Sequence, residues 1–148
     1  EAAGRLDFNL SHSEGFALLA VSPGFPVGID IEHMRPLEDE KLAERFFSPE
    51  EARALAALPP AEREAGFFRC WTRKEAYLKA LGSGLAMPLD GFTVSLGPRE
   101  PARLVAVADA PGEAEAWQIA HLAPVAGFVG AVAARHRGWT PVWREAGT

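Results

Sequence analysis

Two hydrophobic rhythms alternate along this chain. FALLAVS (16–22) is an apolar run bounded by Gly15 and Pro23-Gly24, which predicts a strand. PVGIDIE (26–32) predicts a second strand, with Val27, Ile29 and Ile31 on one side and Asp30 and Glu32 on the other. The short connection containing Pro and Gly predicts that the two form an antiparallel pair. Beyond Pro36 the period becomes helical. LEDEKLAERFF (37–47) predicts a helix with Leu37, Leu42 and Phe46 inward. Ser48-Pro49-Glu50-Glu51 reads as a helix start, with Ser at the cap, Pro in the first turn and Glu51 closing a capping box. That helix runs to about Leu58 and ends at Pro59-Pro60. A long helix follows, from about Ala61 to Leu81, with Gly82 as its stop.

GSGLAMPLDG (82–91) reads as a loop. Gly82-Ser83-Gly84 follows a helix, so it fits a C-terminal cap better than a phosphate loop, which precedes one. FTVSL (92–96), RLVAVAD (103–109), AWQIAHL (116–122) and GFVGAVAAR (127–135) then read as strands of an antiparallel meander covered by the long helix. From Arg137 onward no period is clear. The expected architecture over residues 1–148 is α+β, one domain with an antiparallel sheet and a long helix packed on one face.

At 48% hydrophobic and 24% charged residues, the composition is that of a folded domain and excludes a disordered chain. A net charge of −5 argues against general nucleic-acid binding, although Arg69, Arg73, Lys74 and Lys79 cluster locally. The single cysteine, Cys70, excludes an internal disulfide and reads as a buried structural thiol. No apolar stretch is long enough to span a bilayer and no signal peptide is visible, so no membrane partner and a cytoplasmic location are expected.

The chemistry concentrates in two segments. Trp71, Glu75 and Lys79 recur every four residues, so on a helix they line one face. Asp30 and Glu32 leave the same side of their strand. Three carboxylates from two elements suit a hard divalent cation, and a lysine one turn beyond suits a phosphate. The plainer readings are a solvated strand face for the acids and an exposed Glu–Lys pair for the helix. Asn9-Leu10-Ser11-His12-Ser13 reads locally as a turn with a solvated histidine. His33, His121 and His136 read as structural or exposed, and Trp71 as core.

Taken together, Gly28-Ile29-Asp30-Ile31-Glu32, WTRKEAYLK (71–79) and NLSHS (9–13) resemble the 4′-phosphopantetheinyl transferases. The likeness is to the Sfp-like type that activates peptide and polyketide synthetases, and not to the small holo-acyl-carrier-protein synthase type. It covers about residues 8–133. The resemblance implies an Mg²⁺-dependent transfer of the phosphopantetheine arm of coenzyme A to a serine of an apo acyl or peptidyl carrier protein, releasing 3′,5′-ADP. It implies Asp30, Glu32 and Glu75 as metal ligands, with Glu75 also the candidate base. It places Lys79 on the pyrophosphate, Lys74 near the phosphates, and Ser11 and His12 on the 3′-phosphate.

In this type two similar halves pack together, with the site in the cleft between them. NLSHS normally ends the first half, so the resemblance implies that most of a first half is missing. The first residue, Glu1, fits a piece of something longer. Self-association across the acidic face is the alternative. It carries like-charge repulsion, so the fragment reading is preferred, with poor coenzyme A binding and an exposed apolar patch expected of the chain alone. Two other functions stand beside transfer. One is a half-enzyme that binds coenzyme A or a carrier protein without turnover. The other is an unrelated Mg²⁺ phosphotransferase, which needs a Gly-rich loop before a helix; none is present.

Overall fold

The computed structural model describes residues 4–39, 41–82 and 87–145. In chain order the strands and α-helices are β1 (Asp7–Ser13), β2 (Phe16–Ser22), β3 (Val27–His33), α1 (Leu42–Phe46), α2 (Pro49–Ala56), α3 (Arg63–Leu81), β4 (Phe92–Val94), β5 (Leu104–Val107), β6 (Gln118–Leu122) and β7 (Phe128–Ala134). The architecture is α+β, with antiparallel sheets and one long helix. β3, β7 and β6 form the central sheet in that order, all antiparallel. α3 covers the face that carries Gly28. Phe67, Phe68, Cys70, Tyr77, Phe92 and Trp117 fill the main core. On the opposite face Val27, Ile29, Leu122 and Val132 form a smaller cluster, joined by Leu18 and Ala20 of β2 and by Trp139 of the tail. Among the described residues, no helix is long and apolar enough to cross a membrane.

Local signals behave as their chemistry dictates. Ser48 caps α2, with Glu51 N–H donating to Ser48 Oγ at 3.2 Å and Ser48 N–H to Glu51 Oε1 at 2.9 Å. α3 ends at Gly82 (φ 94°), whose N–H reaches Leu78 O at 3.3 Å. Ser83 and Gly84 lie outside the described residues. Cys70 is buried in α3, and burial pushes its thiol well above the ordinary range.

Other expectations are corrected. β2 and β3 do not pair. β2 pairs with β1 through a tight turn at Glu14 (φ 48°) and Gly15 (φ 77°), and β3 pairs with β7. NLSHS is therefore no turn; it lies inside β1. The last four strands are not one meander, because β4 and β5 form a separate ribbon. Among the described residues of the helix expected over 37–47, only Leu42–Phe46 is helical. Phe46 is 39% exposed, and Phe47 is the inward residue. The chain turns extended at Phe47 (φ −97°, ψ 165°), which swings its ring to 5.1 Å from that of Phe67.

One close approach fixes β3 against α3. A Cβ at Gly28 would stand 2.0 Å from the Ala76 carbonyl oxygen and 2.5 Å from the Ala80 nitrogen. Both are backbone atoms of a regular helix and have no cheap way to move. Gly28→Ala is expected to destabilise the protein by at least about 1–3 kcal/mol, the usual cost of overpacking. Urea unfolding checks this, and a variant as stable as the parent contradicts the packing described.

Candidate active site

Because β3 alternates, Gly28, Asp30 and Glu32 share its α3 side while Val27 and Ile29 face the smaller core. α3 in turn presents Trp71, Glu75 and Lys79, each half-buried, among mostly buried neighbours. The Trp71 ring stacks at 9° on that of Phe67 with centroids 6.3 Å apart, which makes it a wall of the core.

Asp30 is 8% exposed. Its Oδ1 accepts from Ser11 Oγ at 3.4 Å and lies 3.9 Å from Lys79 Nζ. Its Oδ2 is buried and, among the described residues, has no hydrogen-bond partner. Burial first, then the charges of Glu32 and Glu75, push the Asp30 carboxyl up to about 8, against the opposing pull of Lys79 and Ser11. Glu75 is also raised, chiefly by burial and further by Glu32, with Lys79 opposing. Glu32 sits 3.5 Å from Arg35 Nη1. The Lys79 ammonium donates to Ile29 O at 2.7 Å and to Leu10 O at 3.2 Å, so it ties β3 to β1.

Asp30, Glu32, Glu75 and Lys79 thus share one field. Among the described residues, however, no three acidic, His or Cys side chains gather closely enough to form a closed metal cluster. Glu32 turns to Arg35 instead. The donors are all hard oxygens, and the orphaned Asp30 Oδ2 is what a divalent cation would satisfy. On those two grounds the residues fit such an ion.

Lys74 does not join this group. It is fully buried, its Nζ donating to Glu51 Oε1 (2.8 Å), Glu51 Oε2 (2.9 Å) and Phe92 O (2.6 Å). The ammonium also lies 3.9 Å from the centroid of the Phe92 ring. All three of its protons are engaged, so the expectation that it meets a ligand phosphate is set aside. Ser11 and His12, expected to share one phosphate, point to opposite faces of β1. Ser11 is buried and His12 exposed. The other histidines are structural or exposed. His33 packs on Phe128, His136 stacks on Phe25, and His121 Nδ1 lies 3.3 Å from Arg73 Nη2.

Sequence reasoning missed Asn9, Ser13 and Glu51. The side chains of Asn9 and Ser13, with Ser11 between them, accept backbone N–H groups of β3. Their period of two was the available signal. Glu51 was read only as a capping residue; it also accepts Val94 N–H at 2.6 Å.

Two outcomes follow from these charges. Lys74→Met leaves Glu51 buried without its cation and is expected to cost about 3–5 kcal/mol. Lys74→Met combined with Glu51→Gln should recover part of that loss, and denaturant unfolding of both variants checks it. The second outcome concerns pH. The folded-state pKa of Asp30, about 8, exceeds its ordinary 3.8, so the folded protein holds this proton more tightly than the unfolded chain. Stability from this group is therefore full below the ordinary value and is lost as pH rises through the folded one. Asp30→Asn removes that loss. In metal-free buffer its melting temperature should gain on the parent as pH rises from about 4 to about 8, by about 2–4 °C per kcal/mol relieved. Parallel curves would contradict the assignment.

Comparison with known proteins now bears on this geometry. The model of the 4′-phosphopantetheinyl transferase superfamily matches residues 26–133. The chain is 45% identical over 141 residues to the 4′-phosphopantetheinyl transferase HetI of Nostoc sp., covering 95% of this chain and 56% of HetI. It is 42% identical over 89 residues to the 4′-phosphopantetheinyl transferase Sfp of Bacillus subtilis, covering 60% of this chain and 39% of Sfp. It therefore spans about half the length of HetI and less of Sfp. Among solved structures, the holo-[acyl-carrier-protein] synthase of Thermotoga maritima superposes with a TM-score of 0.56 at 24% identity, over 76% of this chain and 64% of that one. The fold likeness and the match over most of the chain agree: this chain belongs to the 4′-phosphopantetheinyl transferase superfamily.

Proposed function

We propose that this chain supplies the cation-binding half of an enzyme that transfers 4′-phosphopantetheine from coenzyme A to a serine of an apo carrier protein. The observation that carries the reading is Asp30. It is a buried carboxyl with one orphaned oxygen, placed by β3 beside Glu75 and Lys79 of α3. Family membership and the names of HetI and Sfp support it.

Asp30 and Glu75 would hold an Mg²⁺ ion, with Glu32 helping directly or through water. When bound, that ion would offset charge on the pyrophosphate and polarise the phosphorus under attack. The chain's own residues do the rest. Lys79 has neutral carbonyls as its hydrogen-bond acceptors and can exchange one for a phosphate oxygen, gaining a charge-assisted bond. Glu75 is raised by burial and so suits a group that must take the serine proton. The serine oxygen forms a bond to the β-phosphorus. The bond from that phosphorus to the bridging oxygen breaks, and 3′,5′-ADP leaves with the electron pair. His12, exposed on β1, is free to meet the remote 3′-phosphate. Positioning and charge compensation carry the rate.

A second reading is favoured by one observation. The outer face of the β1–β2 hairpin exposes Leu6 (63%), Phe8 (73%), Leu10 (55%), Leu19 (59%) and Val21 (55%). Phe8 stands opposite Val21 and Leu10 opposite Leu19, so the patch is continuous. A face of this kind marks an interaction surface. It supports the reading that a further half of a longer protein packs here, or a second copy of the chain. Alone, the chain would then bind coenzyme A poorly.

Incubation with coenzyme A, Mg²⁺ and a panel of apo carrier proteins, followed by intact-mass measurement, tests the proposal. A carrier protein should gain one phosphopantetheine. Asp30→Ala and Glu75→Ala should lower the rate at least about 100-fold without unfolding the protein, since several kcal/mol of charge stabilisation are lost. Lys79→Ala should affect both KM and kcat, and His12→Ala mainly KM for coenzyme A. Binding of coenzyme A with no mass gain on any carrier favours the binding module. Full activity in Asp30→Ala at saturating Mg²⁺ overturns the site.

A further inference from the structure

Among the described residues β1 and β2 pair only with each other, so the hairpin shares no backbone ladder with the central sheet. A lone two-stranded hairpin is at best marginally stable in water. Its hold on the rest of the molecule therefore decides whether it stays formed. On the β1 side, side chains accept β3 N–H groups: Asn9 from Ile29 at 2.9 Å, Ser11 from Ile31 at 3.0 Å and Ser13 from His33 at 3.2 Å. Each of these bonds is exchanged for one to water if the hairpin lifts, so their net hold is modest. The connection to β3 is the short stretch Pro23-Gly24-Phe25-Pro26.

The segment after β7 grips the same parts from the other side. His136 stacks on Phe25 of that connection, with ring centroids 4.3 Å apart and planes inclined by 8°. Trp139 packs on the small apolar cluster of Val27, Ile29, Leu122 and Val132, which also receives Leu18 and Ala20 of β2. The indole N–H donates to His136 O at 2.6 Å, so the two aromatic residues are tied into one turn. Gln118 of β6 holds the backbone of that turn. Gly138 N–H donates to Gln118 Oε1 at 2.8 Å, and Gln118 Nε2 donates to Trp139 O at 2.6 Å. One side-chain amide thus supplies both a donor and an acceptor, as a paired strand would. Arg137 Nη1 adds a bond to Trp117 O at 2.6 Å.

We infer that this segment is a strap, in which Trp139 and Gln118 are positioning residues that hold the β1–β2 hairpin, and with it His12, on the central sheet. Trp139 is the largest side chain of the cluster beneath β2. Without its indole the hairpin rests chiefly on bonds that water can replace. Without Gln118 the turn that carries the indole loses its tie to β6. The consequence for ligand binding rests on the reading of His12 given above: a hairpin that lifts carries His12 away from the 3′-phosphate of coenzyme A. The strap itself stands apart from that reading.

Native-state amide hydrogen exchange of the full chain, read by nuclear magnetic resonance, tests the strap. In the parent, the amides of the β1–β2 ladder should exchange faster than those of β3 and β7, through opening of the hairpin alone. Trp139→Ala is expected to speed exchange of the ladder amides about 10-fold or more, the effect of truncating a large side chain that the opening exposes. Gln118→Ala, a milder change, should act in the same direction. Val94→Ala, in the main core away from the strap, should speed exchange in β3, β7 and α3 and leave the ladder amides as in the parent. Ladder amides that are unchanged in both Trp139→Ala and Gln118→Ala overturn the inference. So does equal acceleration of those amides in Val94→Ala, since the hairpin then opens only with the whole fold. Coenzyme A and 3′-dephospho-coenzyme A, titrated separately and followed by the His12 ring resonance, test the consequence. The parent's preference for coenzyme A should shrink in Gln118→Ala. If the ladder amides accelerate and the preference stays, the strap stands and its effect on coenzyme A is lost. A parent with no preference overturns the reading of His12 and leaves the strap to the exchange data, which decide it alone.

Discussion

Where β3 crosses α3, the backbone at Gly28 lies so near the Ala76 carbonyl that any side chain there would overlap it. Every distance across the site depends on that contact. It brings the Asp30 side of β3 within reach of Glu75 and Lys79, which belong to an element formed much later in the sequence. β3 cannot slide to relieve the contact, because β7 pairs with it along its whole length from Val27 to His33. The side-chain ladder from β1 closes the remaining edge. Asp30 is thus fixed by three elements, which is how a carboxyl can be kept buried with one oxygen unsatisfied. Such an arrangement costs stability and is expected where function requires it.

Two sets of buried charge answer this cost in opposite ways. In the core, Lys74 and Glu51 neutralise each other, and every proton of the ammonium is bonded. Glu51 also closes the cap of α2 and binds Val94 N–H, so one carboxylate joins α2, α3 and β4. At the site, by contrast, Asp30, Glu32 and Glu75 repel one another, and among the described residues Lys79 and Arg35 are the cations near them. The first set is complete within the chain and reads as structure. The second is incomplete and reads as a place for a cation and phosphate. The difference lies in compensation, and not in residue type.

Much of this was legible where the signal is local. The capping box at Ser48 and Glu51, the stop at Gly82 and the strand carrying Asp30 and Glu32 each follow from neighbouring residues. So does the helical row of Trp71, Glu75 and Lys79. What escaped depends on distant partners. Lys74 sits one residue from Glu75 and projects to a different side of the helix, but nothing nearby announces Glu51, 23 positions earlier. α3 is covered on several sides and buries Thr72, Arg73 and Lys74 together, so polarity along it does not report exposure. NLSHS reads as a turn because Asn and Ser favour turns. The same residues can instead line a strand whose side chains stand in for a neighbouring backbone. The expected pairing of β2 with β3 failed for this reason: the β3 edge facing the hairpin was already satisfied by β1.

The proposed cation site spans β3 and α3 across the Gly28 contact. Titration of Mn²⁺ into the protein, followed by paramagnetic broadening of backbone amide resonances, tests it most directly. Resonances of Ile29–His33 and of Thr72–Lys79 should broaden first and at the same ion concentration, because both segments lie beside Asp30 and Glu75. Broadening that begins at acidic surface positions such as Glu50 or Glu115, with the β3 and α3 resonances unaffected, would contradict it.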